Sequence, residues 1–315
     1  MPPSVRSSVG IAARAGAFAL ALAAGGCDAV PVDGGRAGEP VVSTGALVRV
    51  DVSYTHEAGS PATAIRYDAQ AHFARFRPAG AARVPTLLGI AHAADEELPL
   101  GGCRVADPTV ELDSALAARA PVHVTLLDAG RLEVRGAPLV ATHVPELVPF
   151  VSGIVYGAPD EARGAPALQL GHPYTVSGAG TDEVGPLSGA VTAPRAWPTI
   201  AVAPTLRRGA DLEVRWATEP ASPGQATPAT EALVEVRWAA PTGSRAVHCR
   251  TVDDGLHVIP QALLGSLRAG ATAQIAVSRV ARAPLDAPGL GRGEIVLSLR
   301  DVATTLITDE ASPTP

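Results

Sequence analysis

The chain has 315 residues, including 32 Gly, 29 Pro, 4 Phe, 4 Tyr and 3 Trp, and is 47% hydrophobic and 18% charged. That composition excludes a charge-driven disordered chain and a fibrous repeat, and a net charge of −6 excludes the basic footprint of a nucleic-acid binder. All 25 basic residues are Arg, with neither Lys nor Asn present, a bias that a GC-rich genome explains and that rules out Schiff-base and P-loop lysine chemistry.

Residues 1–26 carry Arg6 and Arg14 without an acid, then an apolar run at 15–24 and Gly25-Gly26. A positive start, a short apolar stretch and small residues before a cut describe an export signal. Nowhere is an apolar run of 18 residues present, so no helix is long and apolar enough to span a membrane. Ala24-Gly25-Gly26-Cys27 resembles the lipobox of bacterial lipoproteins, with Ala24 where that family usually has Leu. The resemblance implies removal of 1–26 and lipidation of Cys27, which anchors the chain to a bacterial membrane on the periplasmic or outer face of the cell envelope. Two or more acyl chains make such an anchor stable. The alternative is an ordinary secretion signal that happens to contain a cysteine. Residues 27–45 then read as a lipidated Cys and a flexible tether, with Gly and Pro and no periodicity.

Export places the remaining Cys103 and Cys249 in an oxidising space. A bridge between them would close a long loop, worth roughly 4–5 kcal/mol in the chain-entropy model. Two unpaired thiols in separate domains are the other reading.

Strand periodicity runs through the body. Val48, Val50, Val52 and Tyr54 alternate with Arg49, Asp51 and Ser53, and further strands are expected near 65–73, 123–127, 132–134, 139–143, 153–156, 173–178 and 188–193. Asp113 opens the one helical hint of this half, 113–119. Three prolines within 194–204 mark a boundary, giving a β-rich domain at 46–195 and an immunoglobulin-like sandwich at 196–308. In the second domain Leu212-Glu213-Val214-Arg215-Trp216 and Val234-Glu235-Val236-Arg237-Trp238 are near copies of one alternating strand. The run 247–252, the turn Asp253-Asp254-Gly255 and the run 256–259 read as a hairpin. Pro260 opens a short helix to Leu267, and 274–281 and 294–306 are strands joined by a Gly/Pro loop. Residues 309–315 read as a disordered tail.

The stretch His248-Cys249-Arg250, Asp253-Asp254-Gly255, Ile259-Pro260 and Leu263-Leu264 resembles an element of uncharacterised predicted lipoproteins of myxobacterial type. Leu127-Asp128-Ala129-Gly130 and Tyr174-Thr175-Val176 with Gly180, Val184-Gly185-Pro186 and Ala193-Pro194 resemble that group too. The resemblance covers most of 120–300 and implies a β-sandwich fold and no activity.

Catalytic signatures are missing. His56-Glu57 is followed by Ser60 where HExxH needs its second His, and no G-x-S-x-G occurs. In the expected hairpin His248 and His257 stand too far apart to share a zinc ion with Cys249, and Asp253 and Asp254 read as turn residues. Hence no catalytic residue, metal ligand or cofactor is assigned. Trp216 and Trp238 read as core; Trp197, between Arg195 and Pro198 after Ala196, either packs at the junction or stands exposed as a ligand contact. Arg207, Arg208, Arg215 and Arg237 form a positive patch or a solvated sheet face.

The expectation is an all-β protein of two sandwich domains, tethered by lipid to the envelope, that binds or scaffolds another envelope protein or a cell-wall polymer. A glycan-binding module predicts an exposed aromatic, most plausibly Trp197. A hydrolase with dispersed residues predicts a cleft pairing an acid with a histidine such as His123, His143 or His172.

Overall fold

The computed structural model describes residues 45–58, 65–77, 81–90, 95, 97–106, 123–145, 151–159, 166–220, 231–240, 243–265 and 267–309. The leader, Cys27, the expected helix at 113–119 and residues 310–315 lie outside the described residues.

The first half forms β1 (Gly45–Glu57) and β2 (Arg66–Phe76), then a 3-10 turn (Ala81–Arg83) that runs into one helical turn, α1 (Val84–Leu87). It continues through β3 (Cys103–Ala106), β4 (Val124–Leu126), β5 (Leu132–Val134), β6 (Ala137–Pro138), β7 (Val140–Val144), β8 (Val151–Gly157), β9 (Pro173–Gly178) and β10 (Leu187–Thr192). The second half has β11 (Ile200–Ala201), β12 (Thr205–Arg207), β13 (Leu212–Trp216), β14 (Glu231–Ala240) and β15 (Gly243–Val252). After these come β16 (Leu256–Ile259), a 3-10 turn (Gln261–Leu264), β17 (Thr272–Ala287) and β18 (Gly291–Thr308). The protein is all-β, as its alternation requires. Where Pro260 was expected to open a helix to Leu267, the chain makes only the 3-10 turn.

β17 and β18 are the spine. They pair antiparallel from Thr272↔Leu306 to Ala287↔Gly291 around the expected Gly/Pro loop. Their other neighbours change along the length. β14 pairs with β17 from Ala273 to Val280, whereas β10 meets it at Asp286. β1 runs parallel to β18 from Glu294 to Val302, and β12 does so from Leu306 to Thr308. The large sheet reads β6-β5-β9-β10-β17-β18-β1-β2-β4-β8-β7, with β14, β15 and β3 branching from β17, and β11-β13-β16 forms a second, three-stranded sheet. The expected hairpin of 247–259 does not form: β15 pairs with β14 and β3, and β16 crosses to β13 in the other sheet. Gly255 makes the crossing at φ +87°, where a Cβ would meet the Trp216 carbonyl at 2.9 Å.

One face of the spine carries two apolar clusters. Leu285 and Ala287 of β17 with Ile295, Leu297 and Leu299 of β18 join Val50, Tyr54, Phe73, Tyr156 and Tyr174. Ala273, Ile275, Val277 and Ile307 join Val214, Trp216, Val236 and Trp238, sandwiched beneath the three-stranded sheet. The two cores share one floor, because β17 and β18 contribute side chains to both.

Where the inward row passes from one core to the other it turns polar: Arg279 on β17, Asp301 on β18 and His56 on β1. Arg279 is fully buried and donates to Asp253, to the Ala196 carbonyl at 2.6 Å and to the Ala217 carbonyl at 2.7 Å. Trp216 Nε1 donates to the same Asp253 carboxylate at 2.7 Å. Asp301 accepts from the Ile200 amide at 2.8 Å and lies 2.8 Å from His56 Nδ1. The proline-rich crossing segment is therefore pinned by two buried side chains, which satisfies backbone groups that no strand could. Asp253, expected as a plain turn residue, is half of a buried ion pair.

Candidate binding cleft on the outer face

The opposite face of the spine is charged. On β1, β18 and β17 the outward residues include Arg49, Asp51 and Ser53, then Glu294, Val296, Ser298 and Arg300, then Ser278, Val280 and Arg282. β14 adds Leu233, Glu235 and Arg237, and β15 adds His248. Together with Gly89 and Ile90, just after α1, they enclose a cavity of about 370 Å³, a size typical of small-ligand sites.

Its charges stand in two nests separated by an apolar floor. In the first, Arg49, 4% exposed, reaches both carboxylate oxygens of Asp51 at 2.9 Å and Glu294 Oε1 at 2.8 Å. Strand register dictates the contact, because Arg49 lies opposite Glu294. Arg282 Nη1 reaches the other Glu294 oxygen at 3.2 Å. In the second nest Glu235, 3% exposed, accepts from Arg237 at 2.8 Å and Arg300 at 2.6 Å. Leu233, Val280 and Val296 pack as a small cluster between the nests, with the hydroxyls of Ser53, Ser278 and Ser298 around them.

At the β15 wall, Asp95 is 1% exposed and lies 2.6 Å from His248 Nδ1, while Arg104 on β3 donates to its other oxygen at 2.9 Å. Behind Arg49, directly across from it on β2, His72 is 2% exposed and its Nδ1 has no partner. Burial, reinforced by the Arg49 charge, pushes the His72 imidazole down to about 4, so it is neutral at pH 7.

The sequence candidates fall as follows. Cys103 and Cys249 face each other across β3 and β15 and are joined as a disulfide. Trp216 and Trp238 are buried in the second core. Trp197 is not an exposed platform: it is half-buried against the first core, its Nε1 enclosed, with its ring edge-on to His56 at 6.1 Å. The four arginines of the suggested patch separate. Arg208 pairs with Asp309, Arg215 with Glu213 on the three-stranded sheet, and Arg237 with Glu235 in the cleft. His123, His143 and His172 are exposed and are not among the residues that line this cleft, whereas His56 and His248 are paired with buried acids. The nests were missed because Arg49-x-Asp51 and Glu235-x-Arg237 look like the solvated side of any half-buried strand. The spacing of two that puts each pair on one face was the available signal.

Fold and cleft together define an all-β protein with a paired-charge cleft on the outer face of its main sheet. No protein-family model matches the chain, and no curated protein matches it significantly. Among solved structures it is similar to the crystal structure of chicken CNTN1 FN1–FN3 domains, over 81% of this chain and 68% of that one. The identity is 12% and the TM-score 0.18, a similarity from which neither function nor domain arrangement follows.

Proposed function

We propose that this chain is an exported, lipid-anchored protein of the bacterial cell envelope that binds, without catalysis, a peptide segment of another envelope protein through the outer cleft. The observation that carries this reading is the cleft itself: buried Arg49 and buried Glu235, each held in fixed ion pairs, beside an apolar floor and a row of hydroxyls. Charges already paired offer no net attraction to a simple anion. They suit a ligand that brings both signs together with amide groups, as a peptide does, and fixed pairs contribute specificity more than raw affinity. A glycan reading draws no support from this cleft, which no Phe, Tyr or Trp ring lines.

His248 with Asp95 is the arrangement at this cleft that favours a hydrolase. Register weighs against it. His248 lies opposite Glu235 on β14, and Ser278 lies opposite Leu233 on the strand beyond, so the two are separated by two strand spacings, roughly 10 Å. A nucleophile and its base need hydrogen-bond contact.

The anchor has its own test. Cys27→Ala is expected to move the exported protein from the membrane fraction to the soluble fraction; retention in the membrane would refute lipidation at Cys27. For the cleft, a photo-reactive benzoylphenylalanine at Ser298 is expected to capture one protein in the intact envelope. The same probe at Val258, 46% exposed on the three-stranded sheet, is expected to capture none. Equal capture from both positions, or capture of wall polymer alone from Ser298, would overturn this reading.

A further inference from the structure

Opposite the cleft, β15 presents Cys249 inward, one residue from the outward-facing His248. Cys249 is 1% exposed, and Cys103 across from it on the edge strand β3 is half-buried. Above the pair lies β16, which belongs to the three-stranded sheet. From it His257 places Nε2 3.3 Å from Cys103 Sγ. The two sulfurs and a ring nitrogen of His257 lie within 4.8 Å of one another, and this is the single such trio of metal-ligating side chains among the described residues. Burial pushes the His257 imidazole down against the opposing pull of Asp254, the direction that favours the neutral, metal-binding ring.

We infer that Cys103, Cys249 and His257 form a redox-gated metal site. Oxidised, it holds a disulfide; reduced, it binds one thiolate-preferring closed-shell cation, of which Zn2+ is the representative. Two thiolates and an imidazole are a recognised zinc donor set whose fourth position stays open. The ligands arrive from two strands of one sheet and one of the other, so the ion would tie the sheets together where the disulfide ties only β3 to β15. Little rearrangement is needed. Tetrahedral bonds of about 2.3 Å to sulfur and 2.0 Å to nitrogen place sulfur roughly 3.5 Å from nitrogen and about 3.8 Å from the second sulfur. The first separation is already nearly present, and side-chain rotation of the cysteines supplies the second. A water or an external ligand completes the coordination on the half-buried Cys103 side.

The chemistry balances with a dithiol as co-reactant. Two electrons from the dithiol break the S–S bond and leave Cys103 and Cys249 as thiols, while the dithiol becomes a disulfide. Zn2+ then displaces both thiol protons to solvent. A small-molecule disulfide reverses the sequence: it takes up the two electrons and, with two solvent protons, becomes two thiols as the Cys103–Cys249 bond reforms and the ion is released.

The test uses the chain from residue 28 onward, reduced with a phosphine under anaerobic conditions and titrated with Co2+. The expected result is one tightly bound ion with sulfur-to-metal charge-transfer absorption and the visible bands of a tetrahedral site. Zn2+ should displace it stoichiometrically, with two protons released per ion in the direct Zn2+ titration. The oxidised protein, folded and lacking thiols, should bind none. His257→Ala should weaken Zn2+ binding tenfold or more while keeping the charge-transfer band, a result that separates a built site from two loose thiols. Because Cys103→Ser with Cys249→Ser can fail to fold, circular dichroism of the reduced wild type accompanies each titration. No thiolate charge-transfer band on reduced, folded protein would overturn the inference, and so would equal affinity in wild type and His257→Ala.

Discussion

The inner seam and the outer cleft are built from the same kinds of side chain on opposite faces of one sheet, and they do different things. At the seam, Arg279 and Asp253 are 0% and 1% exposed and every contact of the guanidinium is to a carboxylate or a backbone carbonyl. In the cleft, Arg237 is 49% exposed and shares Glu235 with Arg300. A charge enclosed on all sides satisfies backbone and fixes where the chain crosses; a charge enclosed on one side retains a face to offer. Which role an arginine takes depends on what covers it, and that is decided by strands far away in sequence.

The difference predicts a descending series of effects. Asp253→Ala strips the carboxylate from a buried guanidinium and from Trp216 Nε1, so it should cost about 3–5 kcal/mol in urea unfolding. A loss below ~1 kcal/mol would mean that the seam does not hold the crossing. His72 is buried across from Arg49, and its effect shows in pH. Its folded value, about 4, is below the ordinary 6.5, so on acidification the unfolded chain takes up the proton first. The contribution is fully present above pH 6.5 and is lost between 6.5 and 4, by at most roughly 3 kcal/mol. His72→Leu should flatten that slope; an unchanged slope would place the titrating group elsewhere. His257, also pushed down by burial, slopes the same way in the oxidised protein. The smallest effect belongs to Arg66 with Glu57, 77% and 59% exposed. Breaking that pair should change stability by less than ~1 kcal/mol, and a larger loss would show that exposure does not set the hierarchy.

Local pattern made much of the fold legible. The alternation of Val48 to Tyr54 and of Leu212 to Trp216 marks which side chains turn inward, and the structure buries those. The even count of cysteines after Cys27 made a Cys103–Cys249 bridge one of two readings, and the structure joins them. What stayed hidden is non-local. Asp253-Asp254-Gly255 carries a hairpin signal, but nothing local says that β16 leaves for another sheet, and with that departure His257 comes down onto Cys103. The parallel pairing of β1 with β18 likewise joins segments at opposite ends of the described chain, and it creates both the Arg49–Glu294 contact and the His56–Asp301 clasp. Candidate sites were missed wherever they depend on such pairings.

The most direct test of the binding reading combines the Ser298 photo-probe with Arg237→Ala in the intact envelope. Arg237 is half-exposed and Arg300 also holds the buried Glu235, so its removal should cost less than the ~3–5 kcal/mol of stripping a fully enclosed pair. It removes one of the arginines that hold Glu235 and opens the wall of the cleft. Capture of the envelope partner should fall severalfold while circular dichroism shows the protein still folded. Capture that persists undiminished in a cleft so altered would contradict the assignment of binding to the outer face.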